Sequence, residues 1–99
     1  MGEEGIPGKV NDGRTVVAAA GTAVILAADT KCQRVVLTAE VDNTGDVVVG
    51  GSTVIAALAT RRGSPLAPGD SATFITNNLK NIYIDAMVSG DGVTYHYLD

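Results

Sequence analysis

Tryptophan is absent from this 99-residue chain, and cysteine and histidine occur once each. A single thiol, Cys32, excludes an internal disulfide and any metal site built on clustered cysteines. It opens an apolar run, where a small buried hydrophobe is the expected role. A cysteine nucleophile would need a base, and the one histidine, His96, is distant in sequence. Basic residues are also few: seven Lys and Arg against eleven Asp and Glu give a formal net charge of −4. Nucleic acid calls for a basic face that neutralises phosphates, and an anionic membrane attracts basic clusters, so neither partner is expected. No apolar run approaches the ~20 residues of a membrane-spanning helix. The opening, MGEEGIPGKVNDG, is acidic and glycine-rich, the opposite of a basic-then-apolar signal peptide. Synthesis in a reducing cytoplasm is therefore expected.

Aromatic residues amount to 4% of the chain, while hydrophobic residues reach 45%, much of that Ala and Val. The length suits one domain with one core. At about 25 cal/mol per Å² of apolar surface, small aliphatic side chains bury less per residue than aromatic ones. A thin, modestly stable domain that gains stability from partners is the expectation.

Residues 1–14 hold glycines, one proline and little apolar content. Such a segment cannot offset its ordering entropy alone and is read as an extended arm that orders against a partner. The domain proper is then 15–99. Thr15–Ala28 mixes helix-favouring alanines with strand-favouring Val16, Val17, Thr22, Val24 and Ile25. Gly21 interrupts it, so it reads as two short strands or one bent strand. From Cys32 the period is two. Val35, Leu37, Ala39 and Val41 take one face, with Arg34, Val36, Thr38 and Glu40 opposite. Asp42-Asn43-Thr44-Gly45 is turn chemistry, and Asp46–Gly50 reads as the returning hairpin partner. Thr53–Thr60 is a further strand or a short helical turn, and residues 61–65 are a loop.

Pro68-Gly69 fits the centre of a type II turn. Beyond it Ala72 and Phe74 point inward. Ile82, Ile84, Ala86 and Val88 share a face opposite Tyr83, Asp85 and Met87. Ser89-Gly90-Asp91-Gly92 reads as a hairpin turn into a strand that alternates Val93, Tyr95 and Tyr97 with Thr94, His96 and Leu98. Short strands and turn signals at this spacing point to an all-β fold, a small antiparallel β-sandwich or jelly-roll-like domain.

Candidate chemistry is sparse. Asp42, Asn43, Thr44 and Asp46 gather oxygens, but their spacing departs from an EF-hand loop, and a plain turn is the simpler reading. Asp91 between two glycines reads the same way, without the helix and lysine of a phosphate-binding loop. No paired acids, nucleophile–base set or cofactor loop is visible, so no catalytic residue, metal ligand or cofactor is assigned. Partner contacts are expected in the arm at Ile6, Pro7, Val10 and Arg14, and in the loop at Arg61 and Arg62. There two solvated arginines and an intersubunit salt bridge are the alternatives. Tyr83, Tyr95 and Tyr97 are candidate interface or sugar-stacking residues, with Tyr95 and Tyr97 on the inward set of their strand.

Three runs carry a resemblance: RVVLTAEVDNTGDVVVGGSTVIA, RRGSPLAPGDSATF and LKNIYIDAMVSGDGVTYHYL. They resemble small accessory structural proteins of tailed bacteriophages. The shared pattern is an apolar strand ending in Asn-Thr-Gly, a Val-Gly-Gly step, a Leu-x-Pro-Gly-Asp-Ser turn, an Ile-Tyr-Ile-Asp strand and a glycine-rich terminal hairpin. Those elements fall at Val35–Gly51, Leu66–Ser71 and Ile82–Leu98. The resemblance implies a non-enzymatic virion component on the capsid surface, such as a decoration protein or a head-fibre base. Its implied partners are the major capsid protein and neighbouring copies of itself in a homo-oligomer, a trimer being one closed form. Tail or neck placement and a carbohydrate-binding module are the alternatives.

Overall fold

The computed structural model describes residues 8–99. Eight strands follow one another: β1 (Val10–Val16), β2 (Val24–Ile25), β3 (Arg34–Ala39), β4 (Val47–Gly50), β5 (Ser64–Leu66), β6 (Ser71–Phe74), β7 (Tyr83–Ala86) and β8 (Gly92–Leu98). Short 3-10 turns lie at Leu58–Thr60 and Leu79–Asn81. The first sheet has the order β1-β8-β3-β6 and the second β2-β7-β4-β5, with every pairing antiparallel. Consecutive strands share a sheet only at β4–β5, so the chain crosses between layers at nearly every connection. Eight strands wound this way make a jelly roll.

The alternation read from the sequence sets the core. Val35, Leu37 and Ala39 on β3 are fully buried and face Tyr97, Tyr95 and Val93 of β8. Val47 and Val49 on β4, Leu66 on β5, and Ile84 and Ala86 on β7 close the same core from the second sheet. Phe74 and Ala72 are partly buried against it, as the β6 alternation requires.

Two hairpins expected from the sequence do not form. Asp46–Gly50 is not the partner of β3: β4 pairs with β5 and β7 in the other sheet. Likewise Ser89–Gly92 does not fold β7 onto β8, which lie in different sheets. Asn/Asp/Gly chemistry fixes that the chain reverses, not which layer it enters. Val41, placed on the inward set, lies beyond the end of β3 and is exposed, as is Val88 beyond β7.

The boundary at residue 14 also moves. Val10–Val16 is an edge strand paired with β8 over its whole length, so Val10 and Arg14 belong to the sandwich. Its inward positions, Asn11, Gly13 and Thr15, sit opposite Tyr97, Tyr95 and Val93. A Cβ on Gly13 would fall within 2.4 Å of the Tyr95 ring, so this strand gives up apolar side chains to make room for tyrosine. The arm as expected for residues 1–7, with Ile6 and Pro7, lies outside the described residues.

Thr15–Ala28 holds only the last two residues of β1 and the whole of β2, joined through a turn at Gly21 with φ of +88°. Thr53–Thr60 holds a bridge at Ile55 to Arg62 and one 3-10 turn. The Pro68-Gly69 turn closes as expected, with Gly69 at φ +89° and the Asp70 amide donating to the Ala67 carbonyl at 2.8 Å.

Candidate functional site

The two sheets differ in how their outer faces are covered. On the second sheet the outward residues of β4 and β7 are Val48, Tyr83 and Asp85. The loop 51–63 folds back over them, packing Val54 and Ala56 on Val48 and Tyr83. Asp85 is buried and holds this cover down. Its Oδ2 accepts from the Ala56 amide at 2.9 Å. Its Oδ1 accepts from the Gly21 amide at 3.0 Å and from its neighbour Ala86 at 2.9 Å. A buried carboxylate is tolerated because backbone donors replace its water.

Arg61 completes the cover. Its Nε and Nη2 donate to the Ala56 carbonyl at 3.0 and 2.9 Å, and its Nη1 reaches the Asp46 carboxylate at 3.3 Å. The side chain is only 18% exposed. Arg61 is therefore turned inward as an internal strut, which corrects its expected place on a partner-facing loop. Arg62 diverges from it: its backbone bridges Ile55 in both directions, and the residue is exposed.

The first sheet has no such cover among the described residues. The register aligns its outward side chains in rows across the strands. One row is Val10, Leu98 and Arg34, the next is Asp12, His96, Val36 and Thr73, and the third is Arg14, Thr94, Thr38 and Ser71. Ile75 continues the outward alternation of β6 and is 84% exposed, while Val10 is 71% exposed. Val10, Leu98 and Val36 thus form an apolar band near the end where Lys9 meets Asp99, with Ile75 exposed just past the end of β6. Within it Val10, Arg34, Val36, His96, Tyr97 and Leu98 line a depression of about 210 Å³. An uncovered apolar patch with a charged rim marks an interaction surface more than a solvent face.

Arg14 lies in the third row and is held there by Glu40, with Nε to Oε2 at 2.6 Å. The hydrogen bond first, and the charge of Glu40 second, raise the guanidinium pKa above its ordinary value. As a cation it is already paired within the chain.

Tyr95 and Tyr97 stack with ring centroids 6.1 Å apart and an interplanar angle of 29°, on the core side of β8. Burial, followed by the neighbouring Tyr97, pushes the Tyr95 hydroxyl up. Both tyrosines stand on the inward set of β8 and are partly buried against the core. Tyr83 is on the other sheet and half-buried, in a shallow depression with Ile25, Ser52, Lys80 and Asn81. The three tyrosines do not form one site.

The turns considered for cations are structural clamps. Asp91 is buried and accepts from the Thr44 and Gly45 amides at 3.0 and 2.8 Å. The Asn43 side chain meets the Gly92 backbone, and Asp46 meets Arg61. Sequence reasoning missed Asp85, Arg34 and Ile75. It did place Val36 outward, and an apolar residue at an outward strand position was the available signal.

No family model matches the sequence, and no curated protein does. Among solved structures, one similar chain comes from Bacillus endospore appendages, described as a novel family of disulfide-linked pili. It is 21% identical over 92% of this chain and 89% of that one, with a TM-score of 0.41.

Proposed function

We propose that the protein is a non-enzymatic structural component of a phage particle, a decoration protein that binds the capsid exterior. The observation that carries an assembly role is the apolar band Val10–Leu98–Val36, which none of the described residues covers, on a molecule whose other sheet has its own loop packed over it. The phage setting rests on the sequence resemblance over Val35–Gly51, Leu66–Ser71 and Ile82–Leu98. The major capsid protein and neighbouring copies of the chain are the partners in this reading. A cement subunit works by adding contacts that exist only in the assembled shell. Because it binds that state alone, it stabilises the shell by mass action, each copy adding modestly. A small sandwich with interlocked corners is a rigid body suited to the task. Titration onto heads that lack the protein tests it, and binding to isolated tails instead would move the protein to the tail or neck.

A second reading, a saccharide-binding module, rests on Tyr83 and its polar neighbours Ser52, Lys80 and Asn81. It predicts glycan binding that Tyr83→Ala abolishes, and silence on a glycan array contradicts it.

A further inference from the structure

The depression on the outer face of the first sheet has the size and lining for one branched aliphatic side chain, and Arg34 and His96 border it. Segment 1–7, MGEEGIP, offers the complementary pattern: one branched aliphatic residue, Ile6, preceded by Glu3 and Glu4 as its only charged side chains. We propose that the band receives segment 1–7 of a neighbouring copy, with Ile6 in the depression and Glu3 and Glu4 beside Arg34. This deepens the assembly reading above and rests on it.

The direction of the chain argues for a neighbour over the same molecule. The β1–β8 ladder continues past Val10: the Asp99 amide donates to the Lys9 carbonyl at 3.2 Å, and the Lys9 amide donates to Asp99 Oδ1 at 2.9 Å. At Lys9 the chain therefore still runs along the strand axis, toward the end of the sandwich. Continued at about 3.3 Å per residue, that line would carry Gly8 about 6.6 Å beyond Val10. The two residues from Gly8 back to Ile6 span at most about 7 Å. Placing Ile6 over Leu98 of its own molecule would consume that whole reach in an abrupt reversal. The chain would also have to cross the ~4.8 Å between strands. A segment arriving from a second copy meets no such limit. Such a contact joins two different surfaces, so it propagates head to tail and closes where the rotation permits a small ring.

The test is a full-length triple variant, Cys32→Ala/Glu4→Cys/Arg34→Cys, oxidised and run on a non-reducing gel. The same pair with Cys32 retained serves if Cys32→Ala unfolds, since the buried thiol is slow to react. Covalent dimers and higher species are expected, and adding Ile6→Ser should cut their yield at least about tenfold, a 1.4 kcal/mol effect. A disulfide closed within the monomer overturns the proposal, and so do thiols that stay free under oxidation. Binding of the wild-type protein to capsid shells is scored separately. Failed cross-linking with intact shell binding removes the arm exchange alone, whereas cross-linking without shell binding removes the phage-head reading.

Discussion

Asn43 and Gly92 hold each other by two hydrogen bonds: Asn43 Nδ2 donates to the Gly92 carbonyl at 2.9 Å, and the Gly92 amide donates to Asn43 Oδ1 at 3.0 Å. The side-chain amide thus stands in for a peptide unit and ties the β3–β4 corner to the β7–β8 corner. Asp91 repeats the tie in the opposite sense by accepting from Thr44 and Gly45. Both corners lead from one sheet to the other, so these contacts fix how the layers meet at that end.

Replacing Asn43 by Ala takes the acceptor from the buried Gly92 amide and one of two donors from its carbonyl, which keeps the Glu40 amide at 3.1 Å. We expect a loss of about 1–3 kcal/mol, the desolvation cost of such groups, read as a lower urea midpoint. Asn43→Asp keeps the acceptor for the Gly92 amide but sets an oxygen against its carbonyl, and it should be at least as destabilising. A variant with unchanged stability would remove this clamp from the account.

Much of the fold was legible in the sequence because half-buried strands alternate. Val35, Leu37 and Ala39, then Ile84 and Ala86, then Val93, Tyr95 and Tyr97 all point inward as their spacing requires. Pairing was not legible. Asp42–Gly45 and Ser89–Gly92 carry hairpin chemistry, yet each joins strands of different sheets, because turn propensity is local and layer choice belongs to the whole core. β1 was hidden for a different reason. Its inward residues are Asn11, Gly13 and Thr15, kept small or polar by the tyrosines opposite, so the strand lacks an apolar stripe. Arg61 shows the same limit for the site. Two adjacent arginines look alike in sequence, and only the tertiary placement of Ala56, Asp46 and Met87 turns one of them inward.

Asp85 is expected to resist even isosteric replacement. Both carboxylate oxygens accept from backbone amides, so the NH2 of an asparagine would face an N–H donor on one side or the other. Asp85→Asn should cost about 1.5–3 kcal/mol, the range for a hydrogen bond to a charged group. It should also speed proteolytic cleavage within loop 51–63, whose cover it anchors. Unchanged cleavage alongside lowered stability would show that the loop is held by Val54 and Arg61 instead.

Buried Cys32 and partly buried Tyr95 contribute to the alkaline behaviour. Burial pushes both the Cys32 thiol and the Tyr95 phenol above their ordinary values. Each therefore keeps its proton longer in the folded chain than in the unfolded one, and their contribution is fully present at neutral pH. It is lost as pH rises, from about pH 9 for the thiol and about pH 10 for the phenol, because the unfolded state then binds fewer protons. Urea unfolding between pH 7 and pH 11 should show a decline that Cys32→Ala/Tyr95→Phe makes shallower. An unchanged slope in the double variant would assign the decline to other groups.

The proposed role is that of a shell-binding subunit. Its most direct measurement is co-sedimentation of the purified protein with mature capsid shells that lack it, counting bound copies per shell across a titration. Saturation at a fixed, high copy number is the predicted result. Shells that pellet without the protein at every concentration, while the protein remains folded, would contradict it.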